Sequence, residues 1–301
     1  MKNILAYVGM IALVFTACES REPVDPSNNG GNGGGGGGSQ VTIQAKQRAL
    51  VIEHTGAWCQ YCPRGAYTLA QLSADHGNNL LALSVHNGDP LETAHATEFY
   101  NEFQPGGFPE FFVGSTGDVS EGQIDGMVTT IKGLTPLIGV GATATVNGNA
   151  ISIKGAAEVY VDTSAVLYMN AYFINGPEVG TANNIWGDLM QVDNGASDWL
   201  TDVNDTSFWN ADYFDGSGDM VIAMNDPYLH EHALLAHASS TVKGVEINNG
   251  AVASGTYFEE DFVINAAPNY NLNQAEIFVV VWTEDPTDGS LIYLNGVKVH
   301  L

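Results

Sequence analysis

The sequence predicts an α+β protein of two folded domains, an α/β unit followed by an all-β, immunoglobulin-like sandwich. The chain has 301 residues, which is enough for two hydrophobic cores because domains cluster near ~100–150 residues. Buried strand patterns alternate with helical patterns in the first part, and alternating β patterns separated by turns fill the second. We therefore expect one domain at residues 41–136 and the other at 137–301.

The composition is strongly acidic. The chain has 34 Asp and Glu residues against 9 Lys and Arg residues, for a net charge of −25. Such a field repels nucleic acid and anionic lipid surfaces, so we expect no nucleic-acid partner. The 45% hydrophobic content argues against global disorder. Solvated acidic faces account for the charge more simply than an acidic binding patch does.

The N-terminus has the pattern of a secretory signal peptide at residues 1–17. Lys2 precedes an apolar run from Ile4 to Ala17, which is too short to span a bilayer, since a span takes ~20 apolar residues. The end of this run, Phe-Thr-Ala before Cys18, resembles the bacterial lipobox, with ordinary signal cleavage as the alternative. A lipid on Cys18, and a membrane contact through it, would also explain the odd count of 3 cysteines.

A polar segment that ends in an almost pure Asn and Gly run follows Cys18. Residues 18–40 include six consecutive glycines from Gly33 to Gly38. Such a segment cannot bury apolar area and behaves as a flexible coil. Anchor, tether and folded body together predict a lipoprotein held just off a membrane.

The first folded unit has the order of a βαβ motif. A buried strand at 49–52 leads through a turn into a helical pattern after Cys62, and a second buried strand follows at 80–85. The later elements of this unit are a helix at 91–103, a short strand at 108–113, a turn at 114–117 and a last helix at 123–133.

The second part reads as a series of β-strands. The patterns at 142–146 and 151–154 flank Asn147-Gly148-Asn149, which predicts a hairpin. Further strands are predicted at 159–161, 165–174, 233–238, 257–264, 276–283 and 291–299, and seven or eight strands favour an antiparallel sandwich. The interval 180–218 is rich in Asp, Asn and Gly but lacks the spacing of a calcium-binding loop, so an acidic loop is expected there.

A Cys-x-x-Cys pair after a tryptophan is the main candidate for chemistry. Because the thiolate is the nucleophile, we expect Cys59 to be the more exposed, attacking cysteine. It lies where the helix should begin, so unpaired N–H groups and the helix dipole favour its negative charge, and Arg64 adds to this. Cys62, one turn along, is positioned to resolve a mixed disulfide.

Glu53 interrupts the first buried strand shortly before this pair. A lone carboxylate inside a strand is costly, and its burial should raise its pKa toward the range of a general base. We expect Glu53 to accept the proton of Cys62. The alternative is a strand edge at which Glu53 faces water.

These residues carry a family resemblance. Glu53, Trp58-Cys-x-x-Cys62-Pro63 and Gly107-Phe108-Pro109, in this order, resemble a thioredoxin-fold domain. More narrowly, the run 54–65, the segment 85–90 and the lipobox resemble the outer-membrane-protein-28-related lipoproteins of Bacteroidetes, which join a thioredoxin-like domain to a β-sandwich.

The resemblance implies an outer-membrane lipoprotein of the cell envelope, facing the periplasm or the surface. It implies a thiol-disulfide oxidoreductase whose partners are protein thiols and disulfides and which needs no cofactor. Pro109, after a cis peptide bond, would shape the docking surface for a peptide, and Trp58 and Phe108 would contact that peptide.

Two other interpretations stay open. Two thiols with His54 or His86 could bind Cu(I) or zinc, but a lone Cys-x-x-Cys is incomplete for a structural zinc site, and we expect no metal site. The histidines at 230, 232 and 237 are expected to be solvated or in loops. The chain could also be a binding or adhesion module in which Cys59 and Cys62 form a structural disulfide.

Overall fold

The computed structural model describes residues 40–301 apart from residues 60, 90, 268, 269 and 271 and most of 176–228. The predicted signal peptide at 1–17, Cys18, the tether before Gln40 and almost all of the acidic interval 180–218 lie outside the described residues. The described part of the chain is a mixed α/β structure, mostly sheet, with three helices.

The first part of the chain contains all three described helices. Its elements are β1 (Ala49–Thr55), α1 (Cys62–His76), β2 (Leu80–His86), α2 (Ala94–Phe103), β3 (Glu110–Val113), β4 (Thr116–Val119) and α3 (Glu121–Lys132). Helix α2 begins later than the predicted residue 91 because Thr93 caps it, its Oγ1 accepting a hydrogen bond from Ala96 N at 3.1 Å. The predicted turn at 114–117 is shorter than expected, since β4 already starts within it.

The second part consists of strands. The longer strands are β5 (Ile138–Asn147), β6 (Ala150–Val159), β7 (Tyr168–Asn175), β12 (Ala233–His237), β14 (Tyr257–Asn265), β15 (Glu276–Glu284) and β16 (Leu291–His300). The two-residue strands are β8 (Glu178–Val179), β9 (Val192–Asp193), β10 (Met220–Val221), β11 (Leu229–His230) and β13 (Val245–Glu246). The hairpin predicted around Gly148 is confirmed, with Asn147 paired to Ala150 and a positive φ of 61° at Gly148. The separate strand predicted at 159–161 is wrong, because Val159 is the last residue of β6.

One nine-stranded sheet runs through both parts of the chain. Its order is β16-β15-β7-β12-β2-β1-β3-β4, with β13 beside β7. Strand β1 lies inside the sheet, parallel to β2 and antiparallel to β3. Strand β12 joins β2 in parallel through Ala233 and Ser84, and Ser84 N donates to His232 O at 2.8 Å. The sheet therefore crosses the predicted boundary after residue 136, a continuity that we did not predict from the sequence.

A second sheet packs on the C-terminal half of the first. It has three strands in the order β14-β6-β5, and its buried Ile153 and Phe262 share a core with Met169 and Val279 of the large sheet. The two sheets lie close together at Gly155, where an added Cβ would be 2.8 Å from Met169 Sδ. The second part is thus a sandwich of two sheets, one of which also holds β1 to β4.

The helices cover both faces of the sheet around β1. Helices α1 and α3 share a core with Val51, while α2 shares a core with Ile52 and with Tyr172 from the second part. Successive residues of a strand point to opposite faces. Glu53 therefore points toward α1 and His54 toward α2.

Candidate functional site

Cys59 and Cys62 are joined by a disulfide at the end of β1. A turn leads from Thr55 to Cys59, whose N–H donates to Gly56 O at 2.9 Å. Helix α1 begins at Cys62, so our expectation that Cys59 opens the helix is wrong. Cys62, and not Cys59, lies in the first turn, where the unpaired N–H groups and the positive end of the dipole are found.

The two cysteines differ little in exposure. Cys59 is 4% exposed and Cys62 is 1% exposed, so the expected order holds but the margin is small. Arg64 also stabilises a thiolate at this turn less than we expected. Its Nε lies 2.6 Å from Glu121 Oε2, so its charge is largely balanced by a carboxylate.

Glu53 is fully buried in the centre of the sheet. Its Oε2 accepts a hydrogen bond from Ser84 Oγ at 3.1 Å, and its Oε1 has no hydrogen-bond partner among the described residues. Burial raises the pKa of Glu53 to about 8, the hydrogen bond from Ser84 opposes this, and the charge of Glu121 adds to it. The carboxyl group is therefore mostly protonated at neutral pH.

The first turn of α1 lies directly over this carboxyl group. An added Cβ on Gly65 would collide with Glu53 Oε1 and lie 2.9 Å from Pro109 Cβ. Gly65 follows Cys62 by three residues and so shares its face of the helix. Glu53, Gly65 and Pro109 thus meet beneath the turn that carries Cys62, and the Phe108–Pro109 bond is cis.

Exposed aromatic side chains border the disulfide. The ring centroids of Trp58 and Phe108 are 5.3 Å apart, and Phe108 stacks on Tyr100 at 6.2 Å. Trp58 is 50% exposed and Tyr61 is 55% exposed. Trp58 Nε1 donates to Asn87 O at 2.7 Å, which fixes the indole against the next loop. Trp58 and Phe108 therefore form one apolar rim, named here the aromatic rim.

Glu110 supports the loop that carries Pro109. Its Oε2 accepts hydrogen bonds from the backbone N–H groups of Gly106 and Gly107, the latter at 3.2 Å. The carboxylate in this position is therefore turned toward its own loop and fixes the backbone ahead of Phe108.

Asp89 holds the cysteine turn in place, a role that sequence reasoning missed. Its Oδ2 accepts from Ala57 N and from His86 Nδ1, both at 2.7 Å, and its Oδ1 accepts from Leu91 N at 2.8 Å. Burial alone would raise the pKa of Asp89, but the hydrogen bond and charge of His86 and the two backbone donors outweigh it, so the pKa is lowered.

Ser84 was also missed, although the sequence carries a signal for it. It is the polar residue of an otherwise apolar run in β2, and it is in register with Glu53 on β1. One polar residue in each of two neighbouring apolar strands, here Glu53 in β1 and Ser84 in β2, is the sequence signal that could have predicted this hydrogen bond.

The histidines weighed as metal partners of the thiols face elsewhere. His54 lies on the opposite face of β1 from Glu53, beside the rings of Tyr100, Phe103 and Phe112. Burial lowers its pKa to about 3, and neither ring nitrogen has a hydrogen-bond partner within the described structure. His86 bonds to Asp89, as described above.

Two of the later histidines, His230 and His237, are not the solvated or loop residues that we expected, whereas His232 lies in the short loop between β11 and β12, as expected. His230 and His237 are each 4% exposed. The ring of His230 lies 5.2 Å from that of His86 at the junction of β2 with the second part. His237 ends β12 and packs beside α2. The continuous sheet buries His237, because β12 lies inside that sheet between β7 and β2, whereas His230 lies on β11, which pairs with β8 outside it.

Comparison with known proteins gives a likeness of fold. The structure of HBP35 of Porphyromonas gingivalis has a TM-score of 0.60 at 16% sequence identity, covering 86% of this chain and 77% of that chain. A crystal structure of a protein from Agrobacterium tumefaciens has a TM-score of 0.49 at 11% identity, covering 85% of this chain and 95% of that chain. No protein-family model matches the sequence, and the search of curated proteins returns no match.

At 16% identity, the likeness to HBP35 shows a shared fold. Among the helices of the described residues, none is long and apolar enough to cross a membrane.

Proposed function

We propose that this chain is a thiol-disulfide oxidoreductase of the cell envelope, related to the outer-membrane-protein-28-related lipoproteins of Bacteroidetes. In this proposal, residues 41–136 form a thioredoxin-like domain and residues 137–301 an immunoglobulin-like sandwich. The observation that carries it is the fully buried Glu53 beneath the first turn of the helix that begins at Cys62.

The reaction uses both cysteines in turn. In the reducing direction, the Cys59 thiolate attacks one sulfur of a protein disulfide, a Cys59–substrate bond forms, and the other substrate sulfur leaves as a thiolate. Cys62 then gives up its proton and attacks Cys59 Sγ, which releases the second substrate sulfur and forms the Cys59–Cys62 disulfide. The reverse sequence introduces a disulfide into the partner.

Glu53 is suited to move the proton of Cys62. The pKa of Glu53 is raised to about 8, close to the ~8.5 of an ordinary thiol. A proton passes between two groups of similar pKa at little cost in free energy. In either direction, the carboxyl group beneath α1 takes the proton from Cys62 or returns it.

The aromatic rim and Pro109 supply the docking surface in this proposal. Trp58, which is half exposed, and Phe108, which is half-buried, offer apolar area close to the cysteines, where an extended peptide carrying a thiol or a disulfide would contact them. Aromatic side chains, tryptophan above all, are frequent contact residues at protein surfaces that bind other proteins. The partners are protein thiols and disulfides.

The lipid anchor on Cys18 is part of the same proposal and has its own test. The lipobox-like run and the Gly-rich segment after it support an anchor in the outer membrane, with the body on the periplasmic or surface side. Metabolic labelling with a clickable fatty acid should label the native protein and not Cys18→Ser. An unlabelled native protein that is cleaved elsewhere would contradict the anchor.

The test of the activity uses Cys18→Ser protein, in which Cys59 and Cys62 are the only cysteines. We expect dithiothreitol-driven reduction of a peptide disulfide that is lost in Cys59→Ala. Cys62→Ala should trap a mixed disulfide with the peptide, seen as an added mass on the intact protein. No cysteine-dependent turnover, together with ordinary thiol pKa values, would overturn the proposal.

A second candidate function is a binding or adhesion module with a structural disulfide. The low exposure of both cysteines, 4% and 1%, favours it, because a catalytic thiol must be reached by its substrate. The same experiment separates the two. A structural disulfide predicts that Cys59→Ala lowers stability while the protein never forms a mixed disulfide.

A further inference from the structure

Two histidines and a glutamate meet where α2 packs beside β12. His95 and Glu98 are three residues apart on α2, and His237 is the last residue of β12. One possible ligand atom from each residue lies within 4.8 Å of the other two. The His95 and His237 rings are 4.2 Å apart, and His237 Nε2 is 2.9 Å from Glu98 Oε2.

The polar atoms of this cluster are buried without hydrogen bonds. His95 Nδ1, Glu98 Oε2 and His237 Nε2 each have no hydrogen-bond partner within the described structure, so the 2.9 Å approach between Nε2 and Oε2 is a contact without hydrogen-bond geometry. Leaving one such group unsatisfied costs about 1–3 kcal/mol. Three of them side by side call for a ligand that satisfies all three.

The second nitrogen of His237 indicates the charge of that ligand. His237 Nδ1 lies 2.9 Å from Ser239 O, and because a carbonyl oxygen only accepts, Nδ1 carries the proton. In the neutral ring, Nε2 then presents a lone pair to Glu98 Oε2, which presents another. Two lone pairs that face each other at 2.9 Å would be stabilised by a cation bound between them.

We propose that His95, Glu98 and His237 bind a divalent transition-metal ion of the Zn²⁺ type. Two imidazoles and one carboxylate are a common ligand set for zinc, and ligands at 2.0–2.2 Å in a tetrahedron lie ~3.4 Å apart. The separations in the cluster, 2.9 Å between His237 Nε2 and Glu98 Oε2 and at most 4.8 Å between any two ligand atoms, lie on either side of this value. The backbone carbonyl of Ser239 orients His237, as outer partners of metal-binding histidines do.

Glu98 lies on the solvent side of the cluster. Its side chain is 42% exposed although its Oε2 is buried, and we expect a water molecule to complete the coordination from that side. The ion would also tie α2, in the first part of the chain, to β12, in the second. The site does not depend on the proposed thiol chemistry, because α2 lies on the opposite face of the sheet from Glu53.

The test titrates Zn²⁺ and Co²⁺ into chelator-treated, oxidised Cys18→Ser protein. Oxidation keeps the thiols out of the coordination sphere. We expect one ion per chain, and Co²⁺ bands in the visible range without thiolate charge transfer. His95→Ala and Glu98→Gln should each weaken Zn²⁺ binding at least tenfold and abolish the rise in melting temperature that Zn²⁺ gives the parent.

Two matched variants serve as controls. Glu102→Gln changes an exposed carboxylate one turn further along α2, and His300→Gln changes a histidine whose side chain is 64% exposed. Both should bind Zn²⁺ like the parent. Circular dichroism checks that the His95 and Glu98 variants are folded, and both changes are made on α2, outside the sheet.

Three outcomes would overturn the proposal. The first is an absence of saturable Zn²⁺ binding by the oxidised parent. The second is binding that His95→Ala and Glu98→Gln leave unchanged, which would assign the ion to other carboxylates of this acidic chain. The third is binding that appears only after reduction, which would assign it to Cys59 and Cys62.

Discussion

Two adjacent residues of β1 are both held neutral by burial, on opposite faces of the sheet. Glu53 has a pKa raised to about 8 and His54 a pKa lowered to about 3. At neutral pH the first is mostly protonated and the second unprotonated, so the strand carries no net charge at either position. Their effects on stability as a function of pH have opposite signs.

Glu53 should make the protein less stable as the pH rises. The pKa is higher in the folded state, about 8, than its ordinary value of 4.5, so its contribution is fully present below pH 4.5 and is lost as the pH rises through 8. The slope approaches ~1.4 kcal/mol per pH unit in between. Urea unfolding at pH 5, 6, 7 and 8 should show this slope in the parent and a flatter one in Glu53→Gln.

Asp118→Asn is the control for that series, because Asp118 is exposed and its positive φ of 52° suits asparagine. Its profile should follow the parent. Parallel profiles for the parent and Glu53→Gln would mean that the carboxyl group is not held protonated.

His54 should make the protein less stable in acid. Its pKa falls from an ordinary 6.5 to about 3 in the folded state, so its contribution is complete above pH 6.5 and is lost as the pH falls toward 3. His54→Leu keeps the volume and cannot be protonated. Thermal unfolding between pH 6.5 and 4 should therefore show a smaller loss in His54→Leu than in the parent.

The exposed His300 provides the comparison, with His300→Gln expected to lose stability in acid as the parent does. An equal loss in His54→Leu would show that other buried groups, and not His54, set the acid limit.

At the scale of elements, α1 is fitted to the carboxyl group beneath it. Alanine usually favours a helix over glycine by about 1 kcal/mol. At Gly65, however, a Cβ would collide with Glu53 and come within 2.9 Å of Pro109 Cβ. Overpacking of this kind costs about 1–3 kcal/mol, so Gly65→Ala should destabilise the protein in urea unfolding despite the gain in helix propensity.

Gly126 on α3 gives the matched change, because nothing lies within 4 Å of a Cβ added there. Gly126→Ala should stabilise the protein by roughly 0.5–1 kcal/mol. If Gly65→Ala and Gly126→Ala both stabilise the protein, the first turn of α1 is not packed on Glu53.

The elements that sequence reasoning found are those defined by neighbouring residues. The hairpin at Gly148 and the strand, helix, strand order around Cys62 follow from local periodicity and turn residues. The predicted start of α2, at residue 91, was too early, because the side chain of Thr93 caps the helix and the first helical residue is Ala94. The parallel pairing of β12 with β2 could not be predicted, because it joins residues far apart in sequence through backbone hydrogen bonds that no side-chain pattern marks.

The same distinction applies to the candidate site. Sequence reasoning selected the candidate residues that local patterns or the family resemblance mark. The Cys-x-x-Cys motif marks Cys59 and Cys62, the buried strand before it marks Glu53, and the resemblance marks Pro109. The contacts of Gly65 and Asp89 with them depend on how α1 and the loop after β2 pack on β1. The cluster of His95, Glu98 and His237 could be recognised only from the structure. His237 is far from His95 in the sequence, and no motif spacing connects the two.

At the scale of the whole molecule, a buried asparagine joins three segments. Asn295 on β16 is fully buried, and its Oδ1 accepts from Arg48 N at 3.1 Å. Its Nδ2 donates to Lys46 O at 2.9 Å and to Ile138 O at 2.7 Å. The segment before β1, the start of β5 and the last strand therefore depend on one amide group.

Asn295→Ala should lower the free energy of unfolding by about 2–4 kcal/mol, because it leaves Arg48 N and Ile138 O buried without this partner and also removes the part-buried hydrogen bond to Lys46 O. The measurement is the midpoint of urea unfolding with an unchanged m-value. Asn101→Ala, at an exposed position on α2, should stay within about 0.5 kcal/mol of the parent. Equal midpoints for the two variants would contradict a joining role for Asn295.

During synthesis, β2 is made well before β12, the strand that pairs with it. Strand β2 ends at His86 and β12 begins at Ala233, so at ~5–20 residues per second roughly 7–30 s separate them. For that time, one hydrogen-bonding edge of a wholly buried strand has no neighbour from its own chain. Unpaired strand edges make a partly folded chain prone to aggregation, so we expect the yield of folded protein to rise when chaperones cover this edge during synthesis.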